Sequence, residues 1–120
     1  MSRFDIDFQA GILSLMNKDI KFLSYCSAHL KPSFFNTKDM AWVFSTFRDY
    51  YMNYRGCVTK RSFIEYVKKA RKKNEMDKDR VDSIRELYTG IANDDCSDRE
   101  HLISSLSDFI KHEMVVLAFE

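Results

Sequence analysis

The chain has almost nothing with which to make tight turns: one proline, Pro32, and three glycines, Gly11, Gly56 and Gly90, in 120 residues. Glycines this few and this far apart exclude a Gly-x-x-x-x-Gly-Lys-Ser/Thr loop, the backbone cradle for nucleotide phosphates, so no ATP hydrolysis is expected of this chain by itself. The cysteines, Cys26, Cys57 and Cys96, are odd in number and widely spaced, which fits reduced thiols better than a disulfide framework. No apolar run approaches the roughly 20 residues that cross a bilayer. The first residues also lack a basic-then-apolar leader pattern, so the expected compartment is the cytoplasm, with no membrane contact. Charge of one sign is missing too: the formal net charge is +1, and any attraction to nucleic acid has to come from a local patch.

What the chain does have is large apolar side chains. Hydrophobic residues make up 45% and charged residues 31%, the balance of a folded globule, and ten Phe and six Tyr supply the bulk of the core. The apolar residues recur at helical spacing, which predicts an all-α fold, a compact bundle of about six helices. Phe4, Phe8, Ile12 and Leu15 line one face of a first helix that Asp5 or Asp7 caps and Asn17-Lys18 breaks. A second helix from about Asp19 presents Ile20, Leu23, Cys26 and Leu30 and ends before Pro32, because a residue preceding proline avoids helical angles. Phe34 and Phe35 in the following loop are expected to plug the core.

Thr37 reads as the N-cap of a central third helix bearing Met40, Val43, Phe44, Phe47, Tyr51 and Tyr54 up to Gly56. Thr59 caps a fourth helix with Phe63, Ile64, Val67 and Ala70 on its apolar face. A fifth helix starts near Asp77 or Asp79, shows Val81, Ile84, Leu87, Tyr88 and Ile91, and stops at Asn93-Asp94-Asp95. Ser97 and Glu100 form a capping box for a sixth, with Leu102, Ile103, Leu106, Phe109 and Ile110 on its buried side. Two units follow: a helical globular domain over 1–96 and a capped helix over 97–120.

Few residues converge on chemistry. Cys26 and His29 are half of a zinc-ligand spacing, but a closed site shows two tight pairs and only one is present, so Cys26 reads as a small buried hydrophobe. Asp77, Asp79 and Asp82, and Asp94, Asp95 and Asp98, lack the Gly and bidentate Glu of a calcium loop and sit where helix N-termini favour negative charge. No catalytic, cofactor or metal site is expected. Lys68, Lys69, Arg71, Lys72 and Lys73, with Lys60 and Arg61 upstream, are the one basic run; they read either as a phosphate-contacting stripe or as a solvated helix end.

The last helix carries the strongest functional signal. Nothing between Ser97 and Glu120 is Gly, Asn or Pro, and Met114, Val115, Val116, Leu117, Ala118 and Phe119 are consecutive, so at 3.6 residues per turn they wrap the whole cylinder. One face of such a segment can fold back on its own domain; the rest needs another surface. Phe109, Met114, Val115, Val116, Leu117 and Phe119 are therefore expected at a subunit or partner interface, in one domain of a longer protein.

Together these stretches resemble the N-terminal domain of DnaB-type replicative DNA helicases, with a bacteriophage as the expected source and host cytoplasm as the location. The residues that carry the resemblance are Gln9-Ala10-Gly11-Ile12-Leu13 with Leu15, then Asp19 with Phe22-Leu23, then Leu30-Lys31-Pro32-Ser33-Phe34-Phe35. Val43-Phe44, Phe47, Tyr50-Tyr51 and Gly56 with Thr59 continue it. The resemblance covers almost the whole chain and rests on apolar spacing without a catalytic signature. It implies a non-catalytic assembly and docking domain, whose last helix opens a dimerisation hairpin that is truncated here. It also implies a collar of paired subunits arranged as a trimer of dimers, and primase and helicase loader as partners. ATP and Mg would belong to a downstream RecA-like domain of the resembled protein, through which DNA is contacted. The alternatives are a small DNA-binding accessory protein using the Lys68–Lys73 run and a free-standing helical adaptor.

Overall fold

The computed structural model describes residues 5–118, among which there are six α-helices, one 3-10 turn and no strand. The helices are α1 (Ile6–Met16), α2 (Ile20–His29), α3 (Lys38–Tyr54), α4 (Lys60–Lys72), α5 (Lys78–Asn93) and α6 (Arg99–Ala118), with the 3-10 turn at Pro32–Phe34. Phe4 lies outside the described residues.

Short polar side chains set the helix starts by satisfying backbone N–H groups that have no partner inside the helix. Asp5 accepts from the Phe8 N–H at 2.9 Å, Thr37 from Met40 at 3.1 Å, Thr59 from Ser62 at 3.1 Å and Asp77 from Arg80 at 2.9 Å. Asp19 accepts from both Lys21 and Phe22, at 3.0 and 3.1 Å. The start of α6 differs from the expected capping box. Leu102 N–H bonds to the Asp98 carbonyl at 3.0 Å, which places Asp98 rather than Ser97 at the cap position, and Ser97 N–H instead donates to Asp95 at 3.0 Å.

Two helix ends use the left-handed conformation without glycine. Arg55, not Gly56, turns the chain out of α3 with φ 55°, and Asn74 ends α4 with φ 59°. At Asn74 the Glu75 N–H reaches back to the Ala70 carbonyl at 3.0 Å and the Asn74 N–H to Arg71 at 3.1 Å, the paired bonds of a Schellman end.

Helix α3 is central, touching α1, α2, α5 and the 3-10 turn, while α6 leans on α1. Its residues Phe44 and Phe47 join two aromatic groups. Phe35 lies 5.2 Å from Phe44, and Phe8, Phe34 and Phe35 surround Phe109 at 5.6–6.3 Å. Beyond Phe47, the Phe63 ring stacks on Tyr88 at 4.0 Å, with Trp42 edge-on to Phe63 at 5.8 Å. The loop rings Phe34 and Phe35 are buried as expected, whereas Ile64 and Ile103 are more than two-fifths exposed rather than in the core. The only near-fully buried polar side chains, among the described residues, are bonded locally or across the fold. Gln9 Oε1 accepts from the Asn36 N–H at 2.8 Å, and Ser14 and Thr46 donate to the carbonyls one turn back.

Candidate interaction surface

Helix α6 is 20 residues long, about 30 Å at 1.5 Å per residue. Its two halves have different surroundings. Leu102, Leu106 and Phe109, spaced four and three, are 0–3% exposed and belong to the same core as α1. The packing there is close: a Cβ on Gly11 of α1 would stand 3.0 Å from Leu102 Cδ2. The core thus runs on through Phe109. Phe109 corrects the sequence expectation: it is fully buried among rings of its own chain and offers nothing to a partner. The reason is its place seven residues after Leu102 and three after Leu106, on the face turned to α1.

Past Phe109 the helix loses cover. Met114 is 49%, Val115 57% and Val116 38% exposed, Ala118 is exposed, and Leu117 and Ile110 are partly buried against the core. Phe119 lies outside the described residues. A second apolar row was missed by sequence reading. Ile103, Ile110 and Leu117 recur at seven-residue steps, offset from the buried Leu102–Leu106–Phe109 row, and seven-residue recurrence is the signal of a helix seam that faces another helix. Ile103 also lines a groove of about 320 Å³ between α2 and α6, together with Phe22, Tyr25 and Leu106. Tyr25 is 45% exposed, with its ring 4.4 Å from that of His29.

The start of this surface is fixed electrostatically. Arg99 pairs with Asp19, and the Phe22 N–H bond to Asp19, aided by the Arg99 charge, holds the Asp19 carboxyl below its usual pKa against the opposing effect of burial. Lys18 donates to the Ile91 carbonyl at 3.2 Å and to the Asp94 carbonyl, closing the end of α5. Asp94 and Asp95 accept from the N–H groups of Cys96 and Ser97 and thereby shape the loop before α6. No group of three or more His, Cys, Asp and Glu among the described residues is placed to hold a metal. Cys26 is fully buried, and burial pushes its thiol pKa far up.

The basic run does not form one stripe, because successive residues of a helix are about 100° apart. Lys68 lines a groove between α4 and α5, Lys69 and Lys73 line another between α3 and α4 beside Trp42, Arg48 and Tyr66, and Arg71 donates to the Met76 carbonyl at 3.2 Å. In the second groove, burial and a 2.7 Å bond to Asp49 raise the Tyr66 hydroxyl to about 12. Lys72, at the last position of α4, is exposed. Comparison with family models, with curated proteins and with solved structures finds no match for this chain.

Proposed function

We propose that this chain is a non-catalytic helical association module, and that its role is the one its residue pattern resembles, the N-terminal assembly and docking domain of a DnaB-type replicative ring helicase. The observation that carries the association is the second half of α6, where Met114, Val115 and Val116 stand exposed in succession on a helix whose first half is anchored in the core. Apolar area removed from water contributes roughly 25 cal/mol per Å² before ordering costs, so partner surface on more than one side of α6, covering these residues and the Ile103–Ile110 row, gains several kcal/mol. In this reading the module holds ring subunits together and presents a docking face to primase and loader, while strand separation belongs to another domain. The DNA-binding alternative is less supported, because α4 divides its cations between two flanks.

Sedimentation velocity from low micromolar to near-millimolar concentration tests the association. The chain is expected to self-associate reversibly, and Met114→Lys with Val115→Lys to shift it to monomer with an unchanged circular dichroism spectrum. Calorimetric titration with the purified primase and loader of the same replication system tests the role. A chain that stays monomeric at every concentration and binds neither protein refutes the proposal.

A further inference from the structure

The groove between α4 and α5 shares no residue with the α6 surface and has a different character. It has a volume of about 390 Å³ and is lined by Phe63, Ile64, Val67, Val81, Tyr88 and Thr89 with Lys60, Lys68 and Arg85. Its floor is the stacked Phe63–Tyr88 pair, and Ile64 stands on its edge 41% exposed. All three charged lining residues are cations, on a molecule whose formal net charge is +1. Acids border it without lining it: Glu65 pairs with Lys68 at 3.7 Å and shares an adjoining groove with Lys60 and Ile64, and Asp82 and Glu86 share another with Arg85.

We propose that this groove receives an amphipathic helix of a partner protein, with apolar side chains seated against Ile64 and Val81 and acidic flanks against Lys60, Lys68 and Arg85. Helix-in-groove recognition needs accessible apolar surface, which Ile64 and the partly buried Val81 supply at the sides above the closed Phe63–Tyr88 floor, and the basic rim selects the complementary charge. A nucleic acid strand fits less well. Bases bind single-strand grooves by stacking on open aromatic faces, but Phe63 and Tyr88 cover each other and are 2% and 8% exposed. The spread of α4 explains why Lys60, Ile64 and Lys68 meet here: steps of four keep them on one side of the helix.

Fluorescence anisotropy with three labelled helical peptides tests this on the whole chain. The peptides share one Leu pattern at i, i+3 and i+7 and carry Glu, Gln or Lys on the flanks. The Glu peptide is expected to bind saturably, at least about tenfold tighter than the Lys peptide, with the gap narrowing as salt is raised toward ~0.3 M. Ile64→Asp is expected to abolish binding, and the combined Lys60→Glu, Lys68→Glu and Arg85→Glu variant to reverse the peptide preference, which a merely unfolded variant would not do. Val115→Lys is expected to leave peptide binding intact, so loss of the α6 association and loss of this site are separable. No binding by any peptide, equal binding of the Glu and Lys peptides, or displacement of the Glu peptide by a single-stranded oligonucleotide overturns the proposal. So does loss of self-association in Ile64→Asp, which assigns the groove to a second copy.

Discussion

Truncating α6 at two positions six residues apart separates its anchored half from its uncovered half. Phe109 is fully buried, with three rings within 6.3 Å, so Phe109→Ala removes a large side chain from a close-packed site and leaves a cavity. Such changes cost about 3–5 kcal/mol. A chain of this size has a total stability of about 6–18 kcal/mol at ~0.05–0.15 kcal/mol per residue, so the variant gives up a large share. At roughly 4 °C per kcal/mol, its Tm should fall by about 12–20 °C. Val115 is 57% exposed, and Val115→Ala loses little burial while gaining helix propensity, for a net change within ~0.5 kcal/mol. Urea unfolding followed by helical circular dichroism and by the fluorescence of the single tryptophan, Trp42, measures both. The protein concentration must be low, because self-association would add apparent stability. Equal effects at the two positions, or a cost below ~1 kcal/mol for Phe109→Ala, would refute the docking of α6 on α1 through its first half.

Gly11→Ala forces a Cβ to within 3.0 Å of the buried Leu102 side chain and should destabilise despite alanine's better helix propensity, while Leu102→Val in the same chain should recover part of the loss, a coupling of about 0.5–3 kcal/mol in a double-mutant cycle. Lys18→Met keeps the aliphatic stem but removes the donor to the Ile91 and Asp94 carbonyls; a loss of about 1–2 kcal/mol and faster amide exchange over residues 94–96 are expected. The Asp19 pKa is lower in the folded chain, so its contribution is present above the unfolded carboxylate value and is lost as pH falls through the folded one. In acid titrations of stability Asp19→Asn should therefore flatten the drop below about pH 4, and an unchanged slope would contradict the assignment. Native-state alkylation near neutral pH should spare Cys26, which burial keeps as the thiol, while Cys57 and Cys96, half-buried and also shifted up, react slowly; mass spectrometry of the labelled peptides distinguishes the three.

The helices and most of their starts were legible in the sequence because both depend on local rules. Thr37, Thr59, Asp19 and Asp77 cap because a short polar side chain can reach the N–H groups two or three residues ahead whatever the rest of the chain does. Ser97 failed because two such residues compete: Asp98 follows it, and Asp95 already holds its N–H. The exit from α3 was misplaced by one residue, since Arg55 takes the left-handed turn that glycine usually takes and covers Tyr51 at 5.4 Å. On α6, periodicity marked Ile103 as buried because it lies next to Leu102, but only one of two adjacent residues can face α1. Leu102 rather than Ile103 takes that place against Gly11, whose missing side chain admits it, while Ile110 and Leu117 meet the core only in part. The two grooves flanking α4 were invisible for a different reason. Helical spacing tells which cations share a flank of α4, but it does not tell which neighbouring helix each flank meets, and the grooves are made by that packing.

The turn between α1 and α2 shows how the exposed half of α6 comes to be held at a defined place. Lys18 and Asp19 are adjacent, so their charged ends lie on one small patch, and each takes hold of a different segment. Lys18 closes the carbonyl end of α5, with Cys96 Sγ at 4.0 Å, while Asp19 starts α2 and grips Arg99 at the first turn of α6. Just before them, the Met16 carbonyl accepts from Cys57 Sγ at 3.6 Å and so joins the connector that follows α3. The loop from Asn93 to Asp98 is thereby pinned at both ends, and α6 leaves it in a direction set by Arg99 at its first residue and by Leu102 against Gly11 three residues later. Two fixed points on a rigid helix determine the path of everything beyond them. Met114 and Val115 are uncovered although Leu117 beyond them still packs against the core, because twelve and thirteen residues after Leu102 they point about 120° and 220° around the helix from it.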